Sequence, residues 1–158
     1  MSIFEISYPS GDADAPPNGM RLAMGVGGHV RGVSDVSYAA DGIHLAVACN
    51  GAEWSIVATN KPPEPRELVR GVAPNGVPFQ RIALSPCAKR LVGATATNLS
   101  IFKVDGCGGR LVDTVSATGH AGVTALSFGF DGVRCLSAGE DGRLRLWKVE
   151  EDEMAGRV

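Results

Sequence analysis

Val123–Gly132 (VTALSFGFDG) repeats the pattern of Val33–Gly42 (VSDVSYAADG), and the two Asp-Gly pairs stand 90 residues apart. That distance is two periods of 45, so a third copy is expected near position 86. There the chain reads Ile82–Ala88 (IALSPCA), with Pro86 and Cys87 in the turn. Five residues before Asp41, Cys87 and Asp131 come Val36, Ile82 and Leu126; three before come Tyr38, Leu84 and Phe128. A spacing of two is the strand period, with one apolar face.

The agreement continues outward from this core. A second short apolar run follows each turn: Leu45–Cys49, Leu91–Thr95 and Cys135–Gly139. A small-residue turn comes next, then third runs at Trp54–Val57, Leu99–Phe102 and Leu144–Trp147. A fourth strand, more variable, is expected before each unit at Met20–Met24, Glu67–Gly71 and Arg110–Val115. Each unit of about 45 residues then holds four antiparallel strands, which is the period of a propeller blade. One such sheet cannot bury both faces, so blades must stack around an axis. Small residues in the second run (Ala46, Ala48, Ala94, Ala138, Gly139) suit close packing there. A two-layer sandwich would leave three in-register copies to coincidence.

Composition agrees and narrows the function classes. The 158 residues are 44 % hydrophobic and 20 % charged, the balance of a folded protein. Twenty-one glycines and nine prolines predict many tight turns. A net charge of −2 without a basic cluster leaves no electrostatic footprint for nucleic acid. No apolar run reaches the ~18 residues of a membrane span, and the N-terminus lacks a secretory signal pattern. Cys49, Cys87, Cys107 and Cys135 are widely spaced, which favours a reducing, cytoplasmic setting over zinc or a disulfide framework.

In the last copy, Gly119-His120 opens the unit, Ser137 lies in the second strand, Asp141-Gly142 makes a turn and Trp147 ends the third strand. This arrangement resembles the WD40 family. The resemblance implies a structural tetrad, His120, Ser137, Asp141 and Trp147, hydrogen-bonded from the third strand to the loop leading into the blade. Such a chain has a physical purpose, because a buried imidazole and indole N–H each require a partner.

The other copies are degenerate. The first opens with Gly28-His29 but has Val57 in the tryptophan position and Asn50-Gly51 for the Asp turn; its Trp54 is expected to pack outward or between blades. The middle copy has Asn75-Gly76 for Gly-His and Phe102 for tryptophan, so both must rely on apolar packing. Ile3-Phe4-Glu5 resembles the end of a third strand, followed by a polar loop over Pro9–Asn18. The fold class expected is all-β: a partial WD40 propeller of about three blades plus the end of a preceding blade, in four-stranded antiparallel sheets. The partial propeller covers 1–149, with a partial blade at 1–24 and repeats at about 25–71, 72–116 and 117–149. An acidic tail, 150–158, follows. Too few blades are present to close a ring, so upstream blades or another chain are expected to complete it.

The order of these features is similar to the C-terminal half of the transducin-beta-like protein 2 family. That resemblance implies a scaffold of the stress response and translation, associated with the endoplasmic reticulum through a region this chain lacks.

Chemistry was sought along the rest of the chain. Gly25–Val30 lacks the third glycine of a dinucleotide fingerprint and reads as a turn leading into a blade; Gly106–Gly109 reads as a hairpin loop. His29, His44 and His120 have no metal-ligand spacing, and no nucleophile elbow occurs. Catalytic, cofactor and metal residues are all expected to be absent. The leading expectation is a non-catalytic scaffold for protein partners, with Arg31, Asp35, Glu53 and Arg143 as solvent-facing contact candidates. The alternatives are an enzyme or small-molecule binder using the axial channel, and a structural subunit completing a partner's ring.

Overall fold

Among the described residues thirteen strands, all paired antiparallel, make up the regular structure. A computed structural model describes residues 2–6, 20–25, 31–60, 66–105, 108–115 and 118–149. The Pro9–Asn18 loop, the Gly28-His29 pair, Gly106-Cys107 and the 150–158 tail lie outside the described residues. In chain order the strands are β1 (Ser2–Ile6), β2 (Met20–Gly25), β3 (Val33–Tyr38), β4 (His44–Cys49), β5 (Glu53–Ala58) and β6 (Arg66–Val72). They continue as β7 (Arg81–Leu84), β8 (Arg90–Ala94), β9 (Leu99–Asp105), β10 (Gly108–Val115), β11 (Val123–Phe128), β12 (Arg134–Gly139) and β13 (Leu144–Lys148). A 3-10 turn, Pro74–Gly76, lies between β6 and β7.

The sheets run β1-β2, β3-β4-β5-β6, β7-β8-β9-β10 and β11-β12-β13. The last three are termed the first, second and third blades. The variable strand, expected ahead of each unit, closes the sheet before that unit, as the bounds 1–24, 25–71 and 72–116 place it. β2, β6 and β10 each pair with the strand just before them in the chain, β1, β5 and β9. The same bulge recurs in the first and third blades, between Val33 and Asp35 and between Val123 and Ala125. It twists the inner strand where the chain enters the sheet.

The blades stack through side chains that alternate along each strand. Ala46, Ala48, Trp54 and Ile56 of the first blade share a core with Phe79, Ile82, Leu84, Leu91 and Phe102 of the second. One blade further on, Val92, Ala94, Leu99 and Ile101 meet Val123, Leu126, Phe128, Cys135 and Trp147. The equivalent face of the third blade carries Leu136, Leu144 and Leu146, with Leu144 69 % and Leu146 64 % exposed.

Polar side chains finish the inner edges. Asp35 Oδ2 accepts the Ile82 backbone N–H at 2.9 Å, and Ser37 Oγ accepts that of Leu84 at 3.1 Å. At the next seam Arg81 Nε donates to the Thr124 carbonyl at 2.7 Å. These bonds occupy edge groups that would otherwise template foreign strands.

The apolar face expected on each inner strand is buried unequally. Ile82 and Leu84 are buried and Leu126 and Phe128 half-buried, but Val36 and Tyr38 are nearly half exposed. Asp35 and Ser37 reach toward the second blade, so Val36 and Tyr38 point the other way.

Candidate functional site

The polar cluster of the third blade is assembled by strand alternation. Ser137 lies opposite Arg145, and Cys135 opposite Trp147, so all four side chains share one face of the β12–β13 pair. His120 reaches this face from the segment before β11, and its side chain is wholly buried. Room for the imidazole comes from Gly139, where a Cβ would overlap the ring.

The hydrogen bonds form a continuous chain. His120 Nδ1–H donates to Asp141 Oδ1 at 2.8 Å, and Nε2 accepts from Ser137 Oγ at 2.9 Å. Trp147 Nε1–H donates to the same Ser137 oxygen at 2.8 Å. This tautomer satisfies the ring, the hydroxyl and the indole together. Arg145 is a fifth participant: its guanidinium lies against the imidazole, donates to Asp141 Oδ2 at 2.8 Å and reaches the Gly119 carbonyl at 3.1 Å. The hydrogen bonds from His120 and Arg145 hold the Asp141 carboxyl far below the ordinary carboxylate range. Sequence reasoning missed Arg145 and the need for Gly139. The two-residue spacing from Arg145 to Trp147 places both on one face and was the signal available.

Chemically, this cluster has little left to offer a substrate. Both imidazole nitrogens, the serine hydroxyl and the indole N–H are engaged inside the blade. The buried thiols are no better as nucleophiles, since burial pushes Cys135 up to about 12 and also raises Cys49. Among the described residues no three His, Cys, Asp or Glu side chains gather as metal ligands.

The other blades fill the same space differently. In the second blade Gly93 stands at the position of Ser137 and Phe102 at that of Trp147. The Phe79 ring lies over Gly93, and its centroid is 6.0 Å from that of Phe102. The Trp54 ring of the first blade lies 4.9 Å from that of Phe102, centroid to centroid, so it packs between blades. In the first blade Val47 and Val57 take the serine and tryptophan positions, and both are buried. Gly51 stands where the third blade has Asp141.

Of the four contact candidates, Arg31 and Arg143 are exposed. Arg31 lies across Gly51, beside the β4–β5 turn, and Arg143 sits in the β12–β13 turn. These turns lie at the same end of their blades. Asp35 was expected in a solvent-facing loop. It is instead half-buried within β3, and its carboxylate is taken by the Ile82 N–H. Glu53 is half-buried at the start of β5, 3.9 Å from the Arg70 guanidinium. Among the described residues no helix is long and apolar enough to cross a membrane.

Residues 109–148 match the family model described as WD domain, G-beta repeat. The chain is similar to the solved "Structure of U3-55K", with a TM-score of 0.63 and 19 % identity over 77 % of this chain and 37 % of that one. It is similar also to the "Crystal structure of RRP9 WD40 repeats", with a TM-score of 0.62, 19 % identity and the same coverages of 77 % and 37 %. The chain therefore spans well under half the length of either structure. No curated protein sequence matches it. Residues 109–148 thus match a WD40 repeat, and the chain as a whole has the fold of part of a β-propeller.

Proposed function

We propose that this chain is a non-catalytic scaffold for protein partners. The observation that carries this reading is the engagement of the His120–Ser137–Asp141–Trp147 chain, whose polar atoms hold the blade together. What the blades leave for recognition is their turns, held at fixed positions by rigid sheets. WD40 repeats generally serve protein interaction, which supports the same reading. Arg31 and Arg143 are the proposed contacts, exposed at one end of the arc. Asp35 and Glu53 contribute by holding the scaffold in shape.

A reducing, cytoplasmic setting fits Cys87 and Cys135, both of which are free thiols. The finer assignment to the transducin-beta-like protein 2 family, with its endoplasmic-reticulum stress and translation role, rests on the sequence resemblance alone.

Affinity capture of the polypeptide as its cell makes it tests the reading. A specific protein is expected in near-stoichiometric amount and should be lost with the Arg31→Glu/Arg143→Glu double variant. Recovery of no specific protein would overturn the scaffold.

A further inference from the structure

At the opposite end of the arc, the seam between the first two blades opens into a groove of about 350 Å³ beside β6 and the β7–β8 turn. Its floor is apolar: Ile56, Val69 and Ala88 are buried and Val104 is half-buried. Two exposed cations, Arg66 and Lys89, also line it, and neither forms an ion pair among the described residues. The acids along the groove are committed elsewhere. Glu67 receives Arg70 Nε at 3.1 Å and Nη2 at 2.9 Å, and Asp105 has its own partner within the chain. His44 is bonded to Asp41 at 2.6 Å. Among the described residues the groove therefore combines an apolar floor with two cations, Arg66 and Lys89, that no carboxylate pairs.

We propose that this groove docks an extended acidic segment of a partner protein, with carboxylates at Arg66 and Lys89 and an apolar side chain on the floor between them. The inference rests on the scaffold reading and adds a partner chemistry to it. Arginine offers a carboxylate a planar fork of donors, lysine a compact charge, and complementary charge accelerates encounter. Cys87 provides a reporter, since its exposed thiol lines the groove while Cys49 and Cys135 are buried.

The test uses the 158-residue chain and a fluorescein-labelled peptide, DDFLDE, with the charge-reversed KKFLKK as control. The acidic peptide is expected to bind by anisotropy, more weakly as salt rises, and the control is not. Arg66→Gln/Lys89→Gln, checked for folding by circular dichroism, is expected to weaken binding about tenfold. Bound acidic peptide is expected to slow iodoacetamide alkylation of Cys87, followed at that residue by mass spectrometry. Equal binding of both peptides, or unchanged Cys87 alkylation, would overturn the proposal. Binding that emerges only in a Glu150→Gln/Glu151→Gln/Asp152→Asn/Glu153→Gln variant would also overturn it, by making this chain's own acidic segment the occupant. If the groove fails while capture still depends on Arg31 and Arg143, the scaffold reading survives alone.

Discussion

The second and third blades share strand order and antiparallel pairing, yet each fills its interior by different chemistry. The second blade places the Phe79 ring over Gly93 and against Phe102, which in turn meets Trp54 of the first blade. The third runs a hydrogen-bonded chain from Trp147 through Ser137 and His120 to Asp141. Aromatic packing gains its energy from contact area and tolerates small shifts. A buried polar chain gains direction, at the risk that one lost member strands the others. A blade of this kind thus needs its interior volume filled, and the polar motif is one of several ways of filling it.

The largest test of that contrast is Phe79→Ala. Removing a buried ring should cost about 3–5 kcal/mol in chemical denaturation, equally at pH 7 and pH 4. A cost under about 1 kcal/mol would mean that the aromatic cluster does not hold the seam. Ser137→Ala should cost less, about 1–3 kcal/mol, by leaving the Trp147 indole and His120 Nε2 without their shared partner. Its signature is specific: faster hydrogen exchange at the Trp147 indole N–H.

Acid should then separate the two blades. The Asp141 carboxyl, ordinarily near 3.8, is depressed in the fold by His120 and Arg145. A depressed acid stabilises the native state above its unfolded value, and this contribution fades as pH falls below it. Asp131, held at about 2 by Arg134 and the Val133 and Arg134 N–H groups, acts with the same sign. The second blade has Cys87 at the Asp131 position and loses no such contribution. Protection of β13 amides should therefore fall between pH 4 and pH 2 before that of β8 amides, and Asp141→Asn should flatten the trend. Simultaneous loss in both strands would sink this distinction.

The smallest expected effect is a gain. Ala88 adopts φ +57° where the other two blades have Gly42 at +68° and Gly132 at +67°. Left-handed backbone costs a non-glycine residue about 1–2 kcal/mol, while its buried methyl returns about 0.8. Ala88→Gly should therefore stabilise the chain by roughly 0.5 kcal/mol, measurable as a higher denaturant midpoint.

Much of this was legible in the amino-acid order, because strand alternation and turn residues act locally. The 90-residue offset placed β3 and β11, and the Asp-Gly pairs marked their turns. The bounds at 71 and 116 put β6 and β10 with the strands before them, as the sheets do, although periodicity alone leaves a strand midway between two units free to pair with either. Phe79 escaped notice because its ring substitutes for the polar chain in space while aligning in sequence with Val123. Asp35 looked available because its consumer is a backbone N–H at Ile82, which no side-chain pattern reveals. The tetrad residues themselves stood out through their types and spacing; Arg145 did not, as one basic residue on an alternating strand resembles any other.

The exchange of Asp35 for Arg81 at equivalent places on successive inner strands makes the joints between blades directional keys. One offers an acceptor to a neighbour's N–H, the other a donor to a neighbour's carbonyl. Both partners are backbone groups, which every blade carries whatever its side chains. The joint is therefore written by one residue on one side only, and a unit brings its own fastening to whichever blade follows it.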